Sequence, residues 1–344
     1  MVEALARGQP DDCRNATRIY LWRDAGWGSN MNNIVLQWLS AFSRGETELA
    51  LDLSEDFLQR VRCPNATLEH GQHFTGWHCM FKPIPGLCAF RLRMGLKRRV
   101  LRRGTSLAVS PARPQAPDVL WPETHRCLFV TPVPSRSRLA MDVLQVILES
   151  IYANVQPWFE EDIAAVLREE KILSIRSEKF IALHVRRSDK ILHEAKRVEV
   201  PVYLRAAAKH IRKSSGKRSG VKSIAGIWVS SDDSSVLPEV KKLATAFFPN
   251  VQMEQIVTIS FKDNGSGNGS GNRKKHFKVP TKTRGMTYEL YTGLHAEFKM
   301  MSDAEVFVGT FTSNMSRLVY LMRELNGKPR NSSISVDTPN WRLH

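Results

Sequence analysis

The chain has 344 residues, 42% of them hydrophobic, which suffices for a large core and for about two domains. Lys and Arg number 50 against 34 Asp and Glu, a formal net charge of +16, so the expected partners are anionic: nucleic acid, an anionic membrane surface or a phosphorylated small molecule. There is no run of about 20 apolar residues, and no basic stretch followed by an apolar one near the start, so a soluble chain, or one that has lost a targeting segment, is expected.

The N-terminal part is irregular. A short apolar strand, "RIYLW" (18–22), runs into the turn "RDAGWGSNMNN", which carries Gly26 and Gly28, and then into the helical pattern "IVLQWLSAFSR" (34–44). Strand, glycine turn and helix together can set backbone N–H groups before a phosphate, although a plain strand-to-helix connection has the same pattern. All five cysteines, Cys13, Cys63, Cys79, Cys88 and Cys127, lie in this part, and none has the spacing of a zinc site. Two disulfides and one thiol would suit an oxidising compartment. Asn-x-Ser/Thr triplets at Asn15, Asn65, Asn264, Asn268, Asn314 and Asn331 agree with the secretory pathway. The basic run "RLRMGLKRRVLRR" (91–103) reads as a solvated helix face. Helices are expected over 141–155 and, opened by Pro157, over 157–170.

After residue 178 the pattern becomes regular. Strands are expected at 180–185, 224–230, 305–311 and 333–336, and helices at 201–213, 235–247, 287–302 and 314–325. Strands alternating with amphipathic helices predict an α/β, doubly wound parallel (Rossmann-type) sheet over 179–344, behind an N-terminal α/β and helical domain over 1–178. The Gly/Ser/Asn-rich and then basic segment at 261–280 reads as a mobile insertion.

Three polar clusters fall at the ends of these strands, where such sheets bind ligands. The first is His184-Val185-Arg186-Arg187-Ser188-Asp189-Lys190, with Glu194 following; the second is Ser231-Asp232-Asp233; the third is Thr310-Phe311-Thr312-Ser313-Asn314. Strand alternation puts His184 and Arg186 on one face and Arg187 on the other, so that Arg186 can meet a ligand while Arg187 pairs with Asp232 or Asp233. An arginine fork matches a pyrophosphate and stabilises charge on a departing nucleoside diphosphate. The third cluster offers hydroxyls and N–H groups at a helix start, a second anion site. Paired acids such as Asp232-Asp233 hold a divalent cation in many sugar transferases; here the neighbouring arginines can supply the positive charge instead.

These motifs, "HVRRSDK" with Glu194, "SSDD" and "TFTSNMSR", with "QPWFEEDI" and "GWHCMFKPIPGLC" ahead of them, resemble those of the α-1,6-fucosyltransferases. That group includes the core N-glycan and the rhizobial nodulation enzymes. The resemblance runs from about residue 13 to the C-terminus. It implies a GT-B-like inverting transferase that uses GDP-β-L-fucose without a metal, acts on a GlcNAc-containing glycan and works in the Golgi lumen. By motif, Arg186 would bind the β-phosphate, His184 the guanosine, Glu297 the guanine and Ser313 the pyrophosphate. Glu194 would be the general base beside Lys190, and Asp232 and Asp233 would brace the arginines and the acceptor side; Arg187 and Asp189, with Gly26 and Gly28 of the glycine turn, are the remaining donor-pocket candidates. The resemblance also implies a Cys13–Cys88 disulfide; a Cys63–Cys79 pair is a further expectation. The membrane anchor, coiled-coil stem and SH3 domain of the animal core enzyme have no counterpart here, which leaves the acceptor open. A protein O-fucosyltransferase or another GDP-sugar transferase would share the arginine pocket. A non-enzymatic polyanion-binding protein would instead use the runs at 91–103 and 273–278, but the first has no aromatic residue and the second only Phe277, short of the interleaved aromatics of a nucleic-acid surface.

Overall fold

The computed structural model describes residues 17–20, 49–52, 62–67, 73–82, 87–90, 138–187, 197–214, 224–259 and 288–338, together with 28, 30–31, 34–35 and 37–38. The chain divides into two compact units, Met1–Pro157 with Arg342–His344, and Trp158–Trp341. The border falls earlier than the one expected at 178, because the helices that precede the first strand of the second unit pack with that unit.

In the first unit, β1 (Thr17–Tyr20), β2 (Leu49–Asp52) and β5 (Leu87–Phe90) form a parallel sheet in that order, and β3 (Arg62–Thr67) pairs antiparallel with β4 (His73–Thr75). Gly28 already has helical backbone, so it lies within the helix and not in a turn before it. Trp77 stacks on Phe81 with ring centroids 4.4 Å apart, and Phe81 bridges to Val155, beyond the end of α1 (Arg138–Tyr152). Cys79 is disulfide-bonded. The side chains of Cys13, Cys63, Cys88 and Cys127 lie outside the described residues, as do Gly26, the basic run 91–103 and the insertion at 261–280.

The second unit is built on five parallel strands in the order β10 (Ser333–Ser335), β9 (Val306–Gly309), β6 (Phe180–Val185), β7 (Gly226–Ser231), β8 (Ile256–Val257). The first strand of the unit is therefore central, and the chain winds outward from it in both directions, the Rossmann order. β6 is buried along its whole length, which is why its sequence is a continuous apolar run and not an alternating one. On one face, Ile181, Leu183 and Val185 pack with α4 (Val200–Ser214) and α5 (Val236–Leu243) through Tyr203, Leu204, Ala207 and Val240. The other face is covered by α6 (Tyr288–Asp303), against which α7 (Asn314–Leu325) packs. Between α2 (Pro157–Leu167) and β6, α3 (Glu170–Arg176) lies so close to β7 that a Cβ on Gly226 would run into the Ile175 side chain.

Arg323 ties the far side together. Fully buried in α7, it donates to the carbonyls of Ala304 (2.6 Å) and Glu305 (3.2 Å) and to the hydroxyls of Ser332 (2.7 Å) and Ser333 (2.9 Å). It also reaches the Met301 and Ser302 carbonyls at the end of α6, where the helix dipole favours a cation. Burial pushes its pKa down to about 10, so it stays charged at neutral pH. Arg323→Met is expected to lower the unfolding free energy by about 3–5 kcal/mol, because it leaves several buried carbonyls without a donor. Denaturant titration of the two proteins measures the difference, and a loss below about 1 kcal/mol would show that the guanidinium is dispensable.

Candidate active site

In a sheet wound outward from its first strand, the chain leaves the carboxyl ends of two neighbouring strands in opposite directions, and a crevice opens between them. Here those strands are β6 and β9. The crevice is flanked by Arg186 on one side and by the turn Thr310–Ser313 on the other.

Register decides how the charges pair. Val185 of β6 lies opposite Ser231 of β7, so the next residues, Arg186 and Asp232, emerge level with each other. Arg186 Nη1 meets Asp232 Oδ2 at 3.1 Å, and the other carboxylate oxygen accepts the Arg187 backbone N–H at 2.8 Å. The Arg186 side chain remains 23% exposed, so its five-donor fork is held from below and still reachable by an anion.

Arg187 departs from the expected pairing. Its side chain is only 2% exposed and turns to the α4 and α5 face, where Nη1 donates to Glu239 at 2.6 Å and Nη2 to Glu199 at 3.2 Å. Burial opposes its charge, but the Glu239 hydrogen bond and the charges of Glu239, Glu199 and Asp233 outweigh that cost and raise its pKa. Arg187 is thus engaged in the wall of the site, with Glu239 and Glu199 where Asp232 and Asp233 were expected. Asp233 shapes the turn into α5: its Oδ1 accepts the Ser235 N–H at 2.9 Å and hydroxyl at 2.7 Å.

One row in from the strand ends, His184 lies between Ser230 of β7 and Gly309 of β9. The Ser230 hydroxyl donates to Glu297 Oε2 at 2.9 Å, and His184 Nδ1 shares a 2.6 Å hydrogen bond with the Ser316 hydroxyl. All four of these side chains are buried. Burial raises the Glu297 pKa to about 7, and the Ser230 hydrogen bond opposes the rise only in part. A buried carboxyl that titrates near neutrality marks a functional candidate.

A testable consequence follows from that titration. Because the folded-state pKa is raised, the folded protein holds the proton more tightly than the unfolded chain, and Glu297 supports the fold most fully at acid pH. That support is lost as pH rises from about 4.5 to about 7, by on the order of 3 kcal/mol. Glu297→Gln is expected to remove this slope and to melt above the parent protein at pH 8. Identical pH–stability curves for the two would rule the effect out.

At the other wall, Ser313 is the N-cap residue of α7, buried, with its hydroxyl not used to cap its own helix. The turn before it is less open to an anion than the sequence suggested. Asp337, just past β10, accepts the N–H groups of Phe311 (2.7 Å) and Thr312 (3.1 Å) and the Thr312 hydroxyl (2.5 Å), while the Ser313 N–H goes to the Thr310 carbonyl. Burial would raise the Asp337 pKa, but the hydrogen bonds from Thr312 and Ser335 outweigh it and hold the carboxyl low. What the turn presents to a ligand is therefore Ser313 and the first turn of α7.

The site brings together His184, Arg186, Asp232, Glu297 and Ser313 within the second unit. Asp189, Lys190 and Glu194 lie outside the described residues, and Gly28 belongs to the first unit. Sequence reasoning did not single out Glu199, Glu239, Ser316 or Asp337. An acid just ahead of each helix or early in it was the available signal for the first two; Ser316 lies within "TFTSNMSR", but nothing in that stretch links it to His184.

The second unit has a doubly wound, Rossmann-type α/β fold, with its polar residues at the topological switch point. No family model and no curated protein matches the chain. Among solved structures it is similar to NodZ α-1,6-fucosyltransferase soaked with GDP-fucose, at 15% identity and a TM-score of 0.46, covering 90% of this chain and 93% of that one; the NodZ structures include one from Bradyrhizobium. It is also similar to POFUT1 in complex with GDP, at 11% identity and a TM-score of 0.43, covering 91% and 96%. A third similarity is to a variant of FUT1 from Arabidopsis thaliana in complex with GDP, at 9% identity and a TM-score of 0.47, covering 97% and 75%.

Proposed function

We propose that the chain is an inverting fucosyltransferase that moves L-fucose from GDP-β-L-fucose to a glycan hydroxyl, in α-1,6 linkage on a GlcNAc-containing acceptor. The observation that carries this reading is the Arg186 fork, braced by Asp232 at the edge of the β6–β9 crevice, with Ser313 and the start of α7 on the opposite wall. That arrangement suits a diphosphate, and its motifs are those that resemble the α-1,6-fucosyltransferases.

In the reaction, the acceptor oxygen attacks the anomeric carbon from the face opposite GDP. The bond from that carbon to the β-phosphate oxygen breaks, and its electron pair leaves with GDP. Arg186 stabilises the charge that grows on the phosphate, in a site where donors fixed in advance are most effective. Glu194, with Lys190 beside it, takes the acceptor proton. His184 and Glu297 serve the guanosine end; a carboxylate accepts well from the N–H edge of guanine.

The reading needs no metal. Both Asp232 oxygens hold arginine groups and Asp233 Oδ1 holds Ser235, which supports a site where arginine supplies the positive charge that a cation would otherwise bring. A secretory, Golgi-type compartment suits the disulfide at Cys79. The test is a panel of GDP-sugars, with transfer to chitooligosaccharide, N-glycan and peptide acceptors measured in the presence of a chelator. Fucose transfer to a GlcNAc-containing glycan supports the reading; transfer to a peptide hydroxyl would make the chain a protein O-fucosyltransferase. Loss of turnover that added Mg²⁺ or Mn²⁺ restores would make the acids ligands.

A further inference from the structure

The His184 ring is fixed from α7, by a residue that the motif "TFTSNMSR" contains but to which the sequence assigned no role. Ser316 sits in the first turn of α7, three residues past the Ser313 cap, with its side chain fully buried. Serine in a helix interior commonly turns its hydroxyl back onto its own helix backbone. Here the hydroxyl reaches over β9 to β6 and meets His184 Nδ1 at 2.6 Å. The residue it passes over is Gly309, the in-register neighbour of His184. A Cβ at that position would lie 2.6 Å from the Ser316 hydroxyl and 2.9 Å from the Phe307 ring. Gly309 therefore provides the space through which the contact is made.

The bond joins the two walls of the crevice, the strand that delivers Arg186 and the helix whose start carries Ser313. It also has a chemical consequence. A neutral imidazole has one donor and one acceptor nitrogen. A hydroxyl can donate to Nδ1 or accept from it, so the bond fixes the orientation of the ring and hydrogen-bonds Nδ1 in either tautomer.

We propose that Ser316 is a positioning residue of the donor pocket, acting through His184: it fixes the orientation of the ring, and thereby the affinity for a nucleoside diphosphate. The proposal deepens the donor reading above and rests on it. Two measurements test it. Nitrogen-15 NMR of the ligand-free protein reads the His184 ring directly, and the expected result is an Nδ1 resonance that shifts in Ser316→Ala as its hydrogen bond is lost. Calorimetry with GDP is run on the parent, Ser316→Ala, His184→Ala and the double variant. Ser316→Ala is expected to weaken GDP binding about tenfold, the usual scale for losing one buried hydrogen bond. In the His184→Ala background the same substitution should cost nothing further, because its route of action is gone.

Gly309→Ala should reproduce the Ser316→Ala loss by displacing the hydroxyl. An unchanged ring spectrum, or a lower melting temperature with undiminished GDP affinity, would make the contact mere packing and overturn the proposal. A full loss that persists without His184 would overturn it as well. If the parent protein binds no GDP, the donor reading fails and this role fails with it, whereas the NMR result would still report the bond itself.

Discussion

Arg186→Ala is expected to abolish transfer, with a loss of about 10²-fold or more in rate, the scale seen when one fixed donor to developing charge is removed. The fold should survive the change. The guanidinium is partly exposed, and Asp232, its partner, keeps the Arg187 backbone N–H at 2.8 Å. Activity should therefore fall without a matching fall in melting temperature, which separates this arginine from its neighbour. Arg187 is buried between Glu239 and Glu199, and its loss should act on stability first. Arg186→Lys should also be a poor enzyme, because an ammonium offers a point charge where the diphosphate needs two parallel donors. Initial rates at saturating donor and thermal melts on the same preparations decide the matter. Near-normal turnover in the alanine variant would remove Arg186 from the mechanism.

The second large effect is expected at Glu194. The proposed inversion would require the base to stand on the acceptor side of the sugar, away from the phosphates, and Glu194 follows the arginines in the sequence. Glu194→Gln keeps the shape and removes the basicity. GDP affinity should hold, while the transfer rate drops by about 10²–10⁴-fold, the usual contribution of general-base catalysis. Calorimetry and initial rates on one preparation read both quantities. An unchanged rate would assign the carboxylate to the surface, and a parallel loss of GDP affinity would place it in the donor pocket as a structural residue.

The second unit was legible where burial on both faces writes a continuous apolar run. β6 and α7 have the bounds read from the sequence, and β7, β9 and β10 differ by a residue or two at their ends. β8 was missed because two residues, Ile256–Val257, are too few to form a pattern. The short α3 was missed because its apolar contribution is small and charges flank it. In the first unit, β3 through β5 were hidden in a cysteine- and proline-bearing stretch with no regular alternation, and β2 is only four residues long.

For the site, the ends of apolar strands pointed to His184, Arg186, Asp232 and Ser313, since charge at such ends must either reach water or meet a ligand. Partners were not readable in the same way. Glu239 lies 52 residues from Arg187, and Ser316 lies 132 from His184, so only sheet register brings them together. The same register explains the one exchange of partners: Ser231 beside Val185 sets Asp232 level with Arg186 and not with Arg187. Asp337 was invisible for a related reason. It reads as an ordinary turn residue until β10 pairs with β9 and carries it to the Phe311 and Thr312 amides.

The central claim is that the crevice between β6 and β9 takes the diphosphate of GDP through Arg186. Calorimetric titration of the protein with GDP, in the presence of a chelator and beside the Arg186→Ala variant, tests it most directly. The account predicts saturable one-to-one binding by the parent protein without metal, weakened at least about tenfold in the variant. Binding of equal strength in both, or none by the parent, would contradict it.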